Sequence, residues 1–350
     1  MDAYQDFAYV YDELMDNTPY EEWCDRIEDL IAKYGVSEPA ERECVGTPEV
    51  CVEVPEICVE VPEIRVEVPE TCVEVPEICV EVPEVCGQIS RNFAMEECEE
   101  DWQDNREDDW EDDWEEDWQE EDELAEDEQC LLDSEKNLVV DLGCGTGTLT
   151  EMLYSRGYDM IGIDNAEEML NIAMEKRAES GARILYLLQD MRELELYSTV
   201  GTVVSVCDSV NYILEEEELL DTFSLVNNYL YPGGIFIFDF NTEYKYREII
   251  GERTIAENRE DCSFIWENYY DPESCINEYD LTVFVQEEED IFRKFTETHY
   301  QRGYTTEQMA ALVEQAGMIL LEMKDADTGA EVTDQSQRVY IVARESGKTL

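Results

Sequence analysis

The stretch Val139-Val140-Asp141-Leu142-Gly143-Cys144-Gly145-Thr146-Gly147-Thr148 carries the strongest chemical signal in the chain. An apolar run ends in glycines at 143, 145 and 147 and then passes into a helical pattern. Glycines at such a bend let the backbone turn sharply and let a ligand approach with no Cβ in the way. A dinucleotide-binding turn needs a small residue three positions after Gly145, where this chain has Thr148. The spacing therefore suits a cofactor without a pyrophosphate. Four acids follow four successive predicted strands: Asp141, Asp164, Asp190 and Asp208. A carboxylate at Asp164 can accept hydrogen bonds from both hydroxyls of a ribose. Asp190 can accept from an adenine amino group, with Met191 against the ring. Each acid taken singly also fits a solvated loop; the recurrence along one sheet is what points to a site.

If the reaction needs a base, His299 is the sole histidine of the chain. It lies in Thr298-His299-Tyr300, on a predicted strand, and a structural role is the simpler reading of a lone histidine. Tyr212 and Asn211 are comparable candidates for substrate contact.

Elements must bring these residues together. Residues 4–34 read as two helices broken at Asn17-Thr18-Pro19, with Thr18 as the cap of the second. Strands are expected at Leu138-Val139-Val140, Met160–Ile163, Ile184–Leu188, Val203–Cys207 and Ile235–Phe240. Helices are expected between them, and Pro232-Gly233-Gly234 as a turn. This alternation predicts a doubly wound, mostly parallel α/β sheet covered on both faces. Residues 253–302 alternate polar and apolar and predict a small antiparallel β lobe. A helix capped by Thr305 or Thr306 and ending at Gly317 follows, and then strands at Ile319–Met323 and Val339–Ala343 that close the large sheet. The expected division is 1–36, N-terminal helices; 37–135, an acidic insert; 136–245, the α/β core; 246–303, the lobe; and 304–345, the return to the core.

Composition narrows the function classes. The formal net charge is -67 over 350 residues, and residues 38–135 hold 38 acidic and 4 basic residues. Such a surface repels nucleic acid and anionic membranes. Within the insert a seven-residue unit (EVCVEVP, EICVEVP and variants) places proline at 55, 62, 69, 76 and 83. Proline at every seventh residue excludes a continuous helix, and extended chain is expected. Trp102, Trp110, Trp114 and Trp118 sit among acids, as in a disordered segment or one that folds on a basic protein partner. No CxxC pair, secretory signal or long apolar run is present, so reduced thiols, a cytoplasmic location and no membrane span are the expectation.

The glycine motif, Gly162-Ile163-Asp164, Asp190 and Pro232-Gly233-Gly234 resemble the class I S-adenosylmethionine-dependent methyltransferases. The opening Tyr4-Gln5-Asp6-Phe7-Ala8-Tyr9-Val10-Tyr11-Asp12, with Asp208-Ser209-Val210-Asn211-Tyr212 and Phe238-Asp239-Phe240-Asn241, is similar to a group common in clostridia and bacilli. Members of that group carry a small antiparallel lobe after the fifth strand. The resemblance spans roughly residues 1–36 and 136–345 and not the insert. It implies a seven-stranded Rossmann-like sheet and S-adenosyl-L-methionine as cofactor. It also implies roles: Gly143, Gly145 and Gly147 beneath the cofactor, Asp141 near its amino group and Asp164 on its ribose. Asn165 and Met169 would border the adenosine, Asp190 and Met191 would hold the adenine, Asp208 would belong to the same set, and Tyr11 would cover the sulfonium. The implied activity is methyl transfer to a small-molecule acceptor, with His299 and Tyr212 as catalytic candidates. A protein acceptor, or a non-catalytic cofactor-binding scaffold that docks through the acidic insert, are the competing readings. Thr148 disfavours a nicotinamide oxidoreductase.

Overall fold

The computed structural model describes residues 7–40, 134–288 and 291–348. The repeat and tryptophan blocks expected to be extended or docking segments lie outside them.

Two helices open the described chain, α1 (Ala8–Leu14) and α2 (Tyr20–Tyr34). Thr18 does not cap α2: the N-cap is Pro19, with no side-chain capping bond. The α/β core then runs β1 (Leu138–Leu142), α3 (Thr148–Ser155), β2 (Asp159–Asp164), α4 (Glu167–Ser180), β3 (Leu185–Leu188), β4 (Val200–Ser205), α5 (Glu216–Tyr229) and β5 (Leu230–Asn241). Four strands follow, β6 (Thr254–Asn258), β7 (Cys262–Asp271), β8 (Ile276–Glu288) and β9 (Ile291–Arg302). The chain closes with α6 (Thr306–Gln315), β10 (Ile319–Asp325) and β11 (Arg338–Arg344).

The large sheet has seven strands in the order β10-β11-β5-β4-β1-β2-β3. Strands β1 to β5 are parallel, and β11 runs antiparallel to both β5 and β10. Both faces are covered: Leu219, Phe223 and Val226 of α5 pack on one side, and Ile27 and Ile31 of α2 with Leu149 and Leu153 of α3 on the other. The chain winds outward in opposite directions from β1, with β2 on one flank and β4 on the other. A crevice opens at the carboxyl ends of strands where the order reverses in this way.

Two expectations about β4 and β5 need correction. β4 ends at Ser205 and not at Cys207, because Cys207 and Asp208 take φ of 65° and 53°, a left-handed conformation no strand can hold. Pro232-Gly233-Gly234 is not a turn but lies within β5, where pairing with β4 jumps from Val200–Leu230 to Thr202–Ile235. Three extra residues bulge out there, and Gly233 takes the positive φ (78°) that the bulge requires.

β6 to β9 form a separate four-stranded antiparallel sheet in sequential order. Alternation turns Tyr279, Leu281 and Val283 of β8 inward, against Phe7, the N-cap of α1, and Val10 within it. Thr305 caps α6 in a reciprocal capping box with Gln308.

The described chain leaves and re-enters the core at one place. Ser37 Oγ donates to Lys136 O (2.9 Å), and Glu38 N donates to Asn137 Oδ1 (2.9 Å). Ala40 N donates to Gly157 O (2.9 Å). Segments 37–40 and 134–137 are thus held by their own bonds to the core. Replacing residues 41–133 by a short Gly-Ser joint is expected to give a folded protein whose cooperative melting transition lies within a few degrees of the full chain. An insoluble product, or one without a cooperative transition, would show that the excised segment belongs to the fold.

Candidate active site

At the carboxyl ends of β1, β2 and β4 lies a cavity of about 740 Å³. Its lining brings together Tyr11, Asp141, Gly143, Gly145, Asp164, Asn165, Met169, Asp190, Met191, Tyr212 and His299.

The floor is the bend between β1 and α3. Gly143 N and Cys144 N both donate to Ile163 O (2.7 and 2.9 Å), which ties the bend to β2. Gly143, Gly145 and Gly147 all hold positive φ, at 82°, 54° and 73°. A Cβ on Gly145 would meet nothing within 4 Å, so it would project into empty space and consume room in the cavity. A Cβ on Gly143 would lie 2.7 Å from Ser209 Oγ.

Three carboxylates stand around the floor, each in a different electrostatic state. Asp141 is buried, accepts from Thr150 Oγ1 at 2.6 Å, and is pushed up to about 7 by burial. Asp164 ends β2; its Oδ2 accepts from Gly145 N (2.8 Å) and its Oδ1 from Ala166 N (2.9 Å). Burial raises its carboxyl above the usual range, and those backbone donors pull it back. Asp190 is held below the usual range by the Arg192 guanidinium, which it meets at 2.6 Å. Arg192 also reaches Glu218 at 3.1 Å.

The opposite wall comes from the lobe and the N-terminal helices. His299 on β9 is 2 % exposed. Its Nδ1 lies 3.3 Å from Tyr212 Oη, and Tyr212 Oη lies 2.8 Å from Tyr279 Oη. The Tyr279 ring stacks on the imidazole, centroids 4.9 Å apart and planes 4° apart. Tyr11 Oη lies 3.8 Å from Cys207 Sγ. The residue after Tyr11 ties α1 to the glycine bend: Asp12 Oδ1 accepts from Thr146 Oγ1 (2.7 Å), and Asp12 Oδ2 pairs with Lys176 (2.6 Å).

A family model described as a methyltransferase domain matches residues 139–234. YqeM of Bacillus subtilis (strain 168), which carries a methyltransferase name, is 34% identical over 213 residues, 61% of this chain and 85% of that protein. The chain belongs to the class I S-adenosylmethionine-dependent methyltransferases. A solved S-adenosylmethionine-dependent methyltransferase from Clostridium acetobutylicum ATCC 824 superposes with a TM-score of 0.57 at 27% identity, over 60% of this methyltransferase and 84% of that chain. A dTDP-3-amino-3,4,6-trideoxy-alpha-D-glucopyranose N,N-dimethyltransferase of Streptomyces venezuelae is 30% identical over 105 residues, 30% of this chain and 43% of that protein.

The floor of this methyltransferase fits its cofactor. The empty space over Gly145, where a side chain would intrude, is a cradle for a ligand approaching the backbone. Carboxylates lie on both sides of it, one strand end apart.

Three sequence-predicted residues are placed elsewhere; one is Asn211, which is buried and donates from Nδ2 to Asn241 O (2.9 Å) and Arg302 O (2.7 Å). Asp208 does not line the cavity. Its left-handed backbone turns the carboxylate behind the wall, where Oδ2 accepts from Gln301 Nε2 (2.6 Å) and Oδ1 lies 3.9 Å from Arg338. Gly147 also lies off the cavity: a Cβ there would fall 2.5 Å from Tyr186 Oη and 2.9 Å from Ala173 Cβ. Its smallness lets α3 start close against β3 and α4.

Other lining residues were missed by sequence reasoning. Tyr20 and Trp23 of α2 enter the cavity wall. Trp23 has a second partner, the Arg338 guanidinium 4.6 Å above its ring. No helix among the described residues is long and apolar enough to cross a membrane.

Proposed function

We propose that this methyltransferase acts on a small-molecule acceptor held between the glycine bend and the β9 wall. The observation that carries the reading is the cavity itself. It is of small-ligand size and is walled by α1, α2 and β9 as well as by the strand ends. The name of the Streptomyces venezuelae relative, an enzyme of a nucleotide-linked sugar, supports the same class of acceptor.

Bound S-adenosylmethionine supplies an electrophilic methyl group, so the protein's work is alignment, exclusion of water and management of a proton. In this reading Asp164 accepts from the ribose hydroxyls and Asp141 faces the cofactor's ammonium. Asp190 and Met191 border the adenine, Asn165 and Met169 the adenosine, and Tyr11 covers the sulfonium. Gly143 and Gly145 leave the backbone bare beneath it. The acceptor then lies toward Tyr212 and His299.

The test is the fate of a labelled methyl group from S-adenosylmethionine in a cell extract supplied with the enzyme. Label is expected in the small-molecule fraction. Label confined to protein or nucleic acid would overturn the acceptor class.

Asp141 gives a second check. Below about pH 7 its carboxyl is protonated in the free enzyme. An ammonium beside it favours the ionised form, so a ligand must displace that proton, and affinity falls as pH falls. S-adenosylhomocysteine is expected to bind roughly tenfold more weakly at pH 6 than at pH 8, since each unit below the midpoint costs about a factor of ten. Binding near pH 7 should release protons in calorimetry run in buffers of different ionisation heat. Equal affinities at the two pH values would remove Asp141 from contact with the amino group.

A further inference from the structure

Behind the acceptor wall stands a carboxylate that the sequence did not single out. Glu297 and His299 are two apart on β9 and so share one face of the strand. Glu297 Oε2 lies 3.4 Å from His299 Nε2, on the far side of the ring from Tyr212. The two side chains are 9% and 1% exposed. The second Glu297 oxygen, Oε1, accepts from Phe7 N at 3.0 Å. Outward from the cavity the order is therefore hydroxyl, imidazole, carboxylate, with the start of α1 bonded to the last. A carboxylate at Nε2 selects the tautomer that carries its proton there, which leaves Nδ1 free to accept from a hydroxyl.

The groups facing the imidazole come from three elements: Tyr212 from the turn at residues 209–212, Tyr279 from β8 and Glu297 from β9. The Phe7 N–H, at the start of α1, bonds the Glu297 carboxylate. Asp208 and Cys207 act more remotely, on the Tyr279 hydroxyl.

Resting on the reading that this cavity holds the acceptor, we propose that Tyr212, His299 and Glu297 form a proton relay, and that the acceptor is methylated on a hydroxyl or ammonium group. The bookkeeping of atoms closes. A lone pair on the hydroxyl oxygen, or on nitrogen once the ammonium has given up one proton, forms the bond to the methyl carbon as the carbon–sulfur bond breaks, its electrons going to sulfur. The acceptor's proton passes to Tyr212 Oη while the Tyr212 proton passes to His299 Nδ1. The imidazolium that results faces the Glu297 carboxylate. Tyr212 is the catalytic residue and Glu297 a positioning residue that acts through His299. The charge of the lining disfavours an anionic group at the reacting end of the acceptor. Among the described residues it holds seven carboxylates, Glu215 and Glu218 included, and Arg192 as its one guanidinium or ammonium side chain, already bound to Asp190 and Glu218.

Because the chain has one histidine, its imidazole can be followed by nitrogen and carbon NMR with no assignment step. The full chain in complex with S-adenosylhomocysteine is expected to show the Nε2–H tautomer at high pH. Glu297→Gln is expected to raise the share of the Nδ1–H tautomer, because the amide oxygen takes the Phe7 N–H and turns the amide N–H group toward Nε2. With benzylamine, benzyl alcohol and benzoate as isosteric probes, the first two are expected to shift the His299 signals and benzoate to leave them in place. An Nδ1–H tautomer in the unmodified protein, or a tautomer ratio unmoved by Glu297→Gln, overturns the relay. Benzoate acting as strongly as the others, or no response to any of the three, overturns the acceptor class. S-adenosylhomocysteine binding, measured in the same samples by calorimetry, reports separately on the cofactor reading.

Discussion

Asp164→Ala is expected to weaken S-adenosylhomocysteine binding at least tenfold, on the order of 1.4 kcal/mol or more. The reason is the nature of the group removed. A carboxylate that accepts from two ribose hydroxyls makes charge-assisted bonds, stronger than neutral ones. The same carboxylate accepts from Gly145 N and Ala166 N, so the protein's own backbone fixes it in place. Its loss would therefore cost both the direct bonds and the anchoring of the glycine bend. Asp164→Asn, which keeps one acceptor oxygen, should fall between the two. Calorimetry measures all three, and a dissociation constant unchanged in Asp164→Ala would take this residue out of the cofactor site.

Gly201→Ala is expected to destabilise the fold by about 3 kcal/mol, the upper end of ordinary overpacking costs. A Cβ at this position in β4 would lie 1.7 Å from Lys136 O and 2.4 Å from Ser37 Oγ. The nearer atom is backbone in the lead-in to β1, which cannot swing aside as a flexible side chain does. Relief requires β4 and the 134–137 segment to part, breaking the bonds from Ser37 to Lys136 O and to Thr202 Oγ1. A melting temperature lower by roughly 6–12 °C is the expected reading for a domain of this size. A shift under about 2 °C would show that the junction yields easily, and would remove the claim that it is tightly packed.

The architecture was legible where periodicity and glycine placement leave one solution. The apolar run into Gly143, Gly145 and Gly147 marked β1 and the bend after it. The alternation through Phe264-Ile265-Trp266 and Tyr279–Val285 marked the lobe. Asp164 could be read because it ends a strand beside that bend. Asp208 could not, because its direction is set by two successive non-glycine residues at positive φ, a costly conformation held here by Asp239. Asp239 accepts from Cys207 N (3.3 Å) and Asp208 N (2.8 Å), and is itself paired with Arg338 at 2.7 Å. That arrangement joins residues about 100 positions apart and leaves no local pattern. Glu297 was invisible for a different reason: in a chain with 90 acidic residues, one more on an alternating strand carries no signal. Pro232-Gly233-Gly234 signalled a departure from regular backbone, and the residues alone did not distinguish a turn from a bulge.

The bonds that fasten residues 37–40 and 134–137 have an evolutionary corollary. They lie at the amino ends of β1 and β4, whereas the cavity opens at the carboxyl ends. Where both ends of a connection are anchored side by side, a change in its length leaves the strands it joins in place. A seven-residue unit can then be gained or lost by duplication and slippage without disturbing the reaction centre. Paralogues or strains differing in unit number are thus expected to share one catalytic core.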